Sequence, residues 1–287
     1  MSINDIVFYI HQFFFEYYVS TEFLGFYRII TCGTILSYLI YIYKDVWQFT
    51  KPDGIFSYNF FHTHAFHAFK INKILYLFKY KYCSIILYIS LYTFGAFALI
   101  GFLTNLSLLC FFILLISFQH RIRPILQSGG DVIASFLLFN LILMPTGLSI
   151  SVDKYLFNYD IDYTYGWPLR LIQLTLTFGY LSAAMHKMKS WDWGCGHALK
   201  NALLFTMWSK HRFKKLFANE FVFKSANYIT VWFQILAPLF LWIQEFRLVT
   251  IILGIIIHIV MILTLKIGYF GPIMIVAILS FAANYFQ

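Results

Sequence analysis

Residues 248–265 read LVTIILGIIIHIVMILTL, eighteen positions that hold no acidic residue, no Lys or Arg, and a single histidine. Such a run is a helix suited to crossing a bilayer. The hydrocarbon core needs about 20 apolar residues and offers no water to unpaired backbone groups. Similar runs lie near Leu24–Tyr43, Ser84–Leu103, Leu106–Phe118, Val132–Ser151, Leu169–Lys187, Tyr228–Gln244 and Ile267–Tyr285. Pro145 and Gly147 mark kink points in the fourth of the series, and Gly271-Pro272 stand near the start of the last. The runs at 228–244 and 248–265 also read as one re-entrant pair. The expected fold class is all-α: a polytopic integral membrane helical bundle of about eight transmembrane helices.

Composition agrees. The 287 residues are 61% hydrophobic and 11% charged, against about 25% charged in a soluble domain. Disorder is excluded, since it needs low hydrophobicity and high charge. The 15 Gly and 4 Cys exclude a collagen-like chain and a disulfide scaffold. Cys32, Cys83, Cys110 and Cys195 form no CxxC pair, and three of them fall in or beside apolar runs, where a thiol acts as a small hydrophobe. The opening MSINDIVFYI has no basic n-region and no small-residue cleavage site, so the first span is expected to insert as an uncleaved anchor.

Two segments read as interfacial. Residues 1–20 mix aromatics with Asp5, His11 and Glu16; residues 196–225 interleave Lys and Arg with Leu, Phe and Trp. Helices of that kind lie in the headgroup plane. With no internal repeat or linker, the chain reads as one domain, 1–287, with its core at 24–281. The formal charge is +9, but the cations fall in gaps between apolar runs and no nucleic-acid motif accompanies them, so lipid headgroups account for them and nucleic acid is no expected partner. With the N-terminus outside, 17 of the 21 Lys and Arg fall inside. The positive-inside rule therefore places both termini outside.

Ionisable groups within spans are costly and mark candidate sites. His186, Lys187 and Lys189 end an apolar run that carries Gly179, Ser182, Ala183 and Ala184, small residues that permit close helix contact. Desolvated there, Lys187 becomes a usable base; the alternative is a lysine snorkelling to the interface. His258, in mid-span, either moves a proton or bonds a neighbouring helix. In HRIRPILQSGGD, residues 120–131, Arg121, Arg123 and Asp131 read as a recognition or gating loop, or as a basic loop with a helix cap opened by Ser128. His62, His64 and His67 invite a metal reading, but no carboxylate follows nearby, and interfacial histidines are the favoured reading.

Five segments in order resemble one family: FYRIITCGTI (26–35), DVWQFTKPDG (45–54), RPILQSGGDVIASFLLFN (123–140), YLSAAMHKMKSWDWGCGHAL (180–199) and HIVMILTLKIGYFGPIMIVAILSF (258–281). The chain resembles the horizontally transferred transmembrane (HTTM) domain, the membrane domain shared with vitamin K-dependent γ-glutamyl carboxylase, and is most similar to bacterial sporulation-delaying protein B-like members. The resemblance implies a multi-pass protein of a bacterial cytoplasmic membrane that matures or modifies a secreted, toxin-like peptide, working with a peptide precursor and a small companion protein. It implies a reduced quinone as cofactor, Lys187 as the base acting on it, and His258 as a second motif position. His186, Arg121, Arg123 and Asp131 are then substrate-gating residues. At Gln127–Asp131 the chain follows the broader family rather than the carboxylase, which carries an Asn-His element there.

Overall fold

The computed structural model describes residues 3–64, 68, 72–122, 128–204, 209–210 and 219–286. They are helical almost throughout and form two compact units, Met1–Pro168 and Leu169–Gln287. Four helices are long and apolar enough to cross a membrane: Thr21–Gln48, Lys81–Ile100, Thr104–Ile122 and Gln244–Thr264. Between half and nearly three quarters of each apolar window stays unburied by the protein, buried shares running from 50% down to 28%. On the last of the four, Ile252, Ile256, Ile259 and Leu263 are all exposed. In water so continuous an apolar face would be an aggregation site; it suits lipid.

The first unit opens with α1 (Ile3–Phe15) and strand β1 (Tyr18–Ser20), which leads directly into the thirty-residue α2 (Thr21–Thr50). Beyond it come α3 (Tyr58–His64), a 3₁₀ turn (Lys73–Lys79), α4 (Lys81–Ile100), α5 (Thr104–Ile122), α6 (Gly129–Ile142), α7 (Val152–Phe157) and strand β2 (Tyr163–Tyr165). The two strands pair antiparallel, with Tyr18 opposite Tyr165. Helix α5 packs on α4, α6 and α2. Their shared core holds Cys32, Ile35, Leu39, Leu91, Phe111 and Leu137. Gly101 closes α4 in the left-handed region at φ 72°, and three residues suffice to turn the chain back into α5.

The helices depart from the expected spans at several ends. The run expected at 106–118 is the full nineteen-residue α5. The run expected at 132–151 is the fourteen-residue α6, which ends at Ile142 and leaves Pro145 and Gly147 in the turns that follow. Proline cannot donate to the carbonyl four residues back and pushes its predecessor out of helical geometry, so the helix stops there instead of kinking. At about 1.5 Å per residue α6 is roughly 21 Å long, short of a bilayer core.

In the second unit, α8 (Trp167–Met188, which begins at the boundary) is followed by the short α9 (Trp191–Gly194) and α10 (Ala198–Leu204). Then come α11 (Glu220–Phe240), α12 (Gln244–Thr264), α13 (Phe270–Leu279) and a closing 3₁₀ turn (Ser280–Tyr285). Helices α11 and α12 are separate and pack on each other, and α12 packs on α13. The interfacial helix expected at 196–225 is not continuous among the described residues: Ser209 forms a bridge with Leu265, and Asn219 caps the start of α11.

Candidate functional site

Helix α8 carries a file of polar side chains on one face, at positions 170, 173, 177, 180 and 187, with the buried Ala184 between the last two. Spacings of three and four residues keep them on one stripe. The Arg170 Nη1 donates to Gln173 Oε1 at 3.0 Å, and the guanidinium lies over the Trp242 ring at 5.5 Å. Gln173 Nε2 donates to the Ser280 carbonyl at 2.9 Å. The Trp242 indole N–H reaches Thr177 Oγ1 at 3.0 Å. A hydrophobicity scan sees only an apolar helix here; its polar groups have instead found partners, Arg170 on α8 itself and Gln173 and Thr177 elsewhere in the unit, as burial demands.

Next along the file, the Tyr180 hydroxyl meets His258 Nε2 at 3.0 Å. Both residues are 2% exposed. The two rings lie nearly parallel with centroids 6.4 Å apart, and Phe233 and Phe270 close round them edge-on. His258 Nδ1, buried as well, has no hydrogen-bond partner among the described residues. Gly254, one turn before His258, lets the helices close up: a Cβ there would lie 2.5 Å from Ile278 Cδ1 and 3.0 Å from Phe233 Cζ.

Lys187 lies two turns beyond Tyr180 on the same face, about 10 Å along the axis. It is half-buried, with Nζ 4.9 Å from the centre of the Trp193 ring. Its neighbours His186 and Lys189 are exposed. The structure therefore gathers Lys187, His258 and Tyr180 within one unit and leaves His186 on the surface.

The residues of the 120–131 segment belong to the first unit. Arg121 is 1% exposed and donates through Nη2 to the carbonyls of Thr50, at 3.0 Å, and Phe56, at 2.7 Å. Its guanidinium lies over Phe61 at 4.8 Å. A cation on the last carbonyl of α2 satisfies an orphan acceptor and the negative end of the helix dipole. The Asp131 carboxylate accepts from the Ser128 N–H at 2.8 Å, the returning half of a capping box at the start of α6. Arg123 and His67 lie outside the described residues. His62 stacks on Tyr58 with centroids 5.8 Å apart. Among the described residues no group of three or more His, Cys, Asp or Glu is placed to hold a metal ion.

A second buried polar cluster was not foreseen. Arg28 is fully buried in α2, donates to the Ile150 carbonyl at 2.5 Å and interacts electrostatically with Asp153. Asp153 accepts from the N–H groups of Leu103 and Thr104 at 2.8 and 2.7 Å and from Thr104 Oγ1 at 2.6 Å. It is the cap of α5, supplied from α7 some fifty residues along the chain. Only the acidic residue of an outside loop was legible in the sequence.

The chain matches no protein-family model, no curated protein and no solved structure.

Proposed function

We propose that the chain is a multi-pass membrane protein of HTTM type, with about eight helices at or across the bilayer of a bacterial cell. It acts as an enzyme or enzyme subunit that matures or modifies a secreted, toxin-like peptide with a reduced quinone. The observation that supports this reading is the buried Tyr180–His258 pair, joined by one helical stripe to the half-buried Lys187. Lys187 serves as the base. His258, held by Tyr180 through Nε2, handles the proton with its remaining nitrogen. Arg121, Arg123 and Asp131 act in gating the peptide, with His186 at the surface.

The residues present fit a quinone. The buried His258 Nδ1, unpartnered among the described residues, belongs to a ring packed with Tyr180 and Phe270, and Phe233 packs on Tyr180. That is a polar contact for a ring oxygen and an apolar wall for the ring itself. When bound, the quinone would supply the redox chemistry, and the chain would position it and move protons. In cells that carry the peptide precursor, Lys187→Met and His258→Ala should each abolish maturation while the protein accumulates at its normal level. Full maturation in both variants would sink the proposal.

A second reading has its own support. Lys187 sits over Trp193 as an anchored cation, which suits a non-catalytic partner for toxin export or immunity. In that case Lys187→Arg keeps function, because arginine preserves the charge. A base could not be so replaced, since arginine stays protonated.

A further inference from the structure

The end of α9 and the loop after it read Trp193-Gly194-Cys195-Gly196-His197, which brings together two side chains that two-residue spacing normally separates. In a strand, residues i and i+2 share a face but stand roughly 7 Å apart; in a helix they diverge. Here Gly196 takes a left-handed conformation at φ 80°, and the chain folds back so that His197 Nδ1 lies 3.2 Å from Cys195 Sγ. Gly196 is also tightly packed, since a Cβ would stand 3.1 Å from both Lys224 Cγ and the Tyr228 hydroxyl.

The pair is held from every side. The Cys195 N–H donates to Trp191 O and the His197 N–H to Asp192 O, each at 2.9 Å. The imidazole lies against the buried Phe223 ring at 5.9 Å. From α11, Asn227 Nδ2 donates to the Trp193 carbonyl at 3.0 Å and the Tyr228 hydroxyl to the Gly194 carbonyl at 3.2 Å. The thiol remains partly exposed. The charged and titratable groups around it are Asp192 from α9, Lys200 from α10, and Glu220, Lys224 and Tyr228 from α11. Lys224 acts electrostatically on Cys195, and Glu220 on His197. Glu220 is itself held below the ordinary carboxylate range by the Lys224 ammonium 2.6 Å away.

We infer that Cys195 and His197 form a nucleophile–base pair that takes an acyl group from a long-chain acyl thioester. A thiol beside an imidazole at hydrogen-bond distance is the arrangement of a nucleophile with the base that can take its proton. Disulfide exchange is disfavoured, because Cys195 is the sole cysteine in residues 169–287 and has no resolving thiol in its unit. A metal needs more ligands than these two. The acyl chain has a suitable surface: the three helices that build the loop expose Trp191, Leu204 and Phe221 at 84%, 59% and 78%. In the reaction His197 Nδ1 accepts the thiol proton and the Cys195 sulfur bonds the carbonyl carbon. The bond from that carbon to the donor sulfur breaks, and the departing thiolate takes the proton back from the imidazolium. The products are an acylated Cys195 and a free donor thiol. This inference gives neither Lys187 nor His258 a part in the reaction.

The test is to incubate the full-length protein, in vesicles of phosphatidylethanolamine and phosphatidylglycerol, with palmitoyl-coenzyme A. Acylation is then read at each cysteine by peptide mass spectrometry, with and without neutral hydroxylamine. The expected result is a hydroxylamine-labile palmitoyl group on Cys195, formed at least tenfold faster than on Cys83, which is also partly exposed, and slowed to the Cys83 rate by His197→Gln. Acylation of Cys195 no faster than Cys83 in the unaltered protein overturns the inference without recourse to any variant. So does an unchanged rate in His197→Gln.

Discussion

Replacing Asp153 with Ala removes three hydrogen bonds from the start of α5 at once. A lost cap costs about 1 kcal/mol, and hydrogen bonds to a charged group are each worth more than neutral ones, so Asp153→Ala should destabilise the fold by about 2 kcal/mol. Denaturant unfolding in mild detergent, followed by circular dichroism, would measure this, and an unchanged midpoint would show that the cap is not formed. Arg121 belongs to the same class of residue. Its guanidinium bonds the carbonyls of Thr50 and Phe56 through Nη2 and lies over the Phe61 ring. At this scale the chemistry of a side chain is decided by which orphan backbone group lies within its reach.

At the scale of the helix, two glycines that look alike in sequence behave differently. Gly95 in α4 is buried where α2 and α5 approach, and a Cβ there would lie 2.6 Å from Leu36 Cδ2 and 3.0 Å from Phe111 Cε2. Gly179 in α8 meets nothing within 4 Å. Gly95→Ala should therefore destabilise by about 1–2 kcal/mol through overpacking. Gly179→Ala should stabilise by about 0.5–1 kcal/mol through helix propensity alone. The pair is read by comparing unfolding midpoints of the two variants; a Gly179→Ala protein less stable than its parent would contradict the geometry. The small-residue run 179–184 thus serves close packing mainly through Ala184, the buried member of the set, while Gly179 and Ser182 are exposed.

At the scale of the whole molecule, charge sets the side of the membrane that each segment is expected to face. The cation count places both termini outside, the acidic stretch near Asp160 outside, and Asp131 and Lys187 inside. Single cysteines at positions 131, 160 and 187 in a cysteine-less protein should then label with an impermeant reagent in intact cells at 160 alone. Strong labelling at 131 and 187 would reverse the orientation and put Lys187 on the side a secreted peptide occupies. Either outcome fixes which compartment supplies the substrate.

The positions of the long helices follow from the sequence itself. Each is set by a local run of apolar residues whose backbone bonds close within the segment, so α2, α4, α5 and α12 fall where the hydropathy puts them, and a helix cap opened by Ser128 was readable before α6. Helix ends were less legible, because Pro145 stops α6 early where a kink was expected. What only the tertiary structure decided is the set of polar partners. Gln173 finds Ser280, Thr177 finds Trp242 and Tyr180 finds His258, across 107, 65 and 78 residues of chain. No local rule selects those pairs. A buried polar group must be satisfied by whichever helix packs against it, and packing is settled by the shape of every helix in the unit at once.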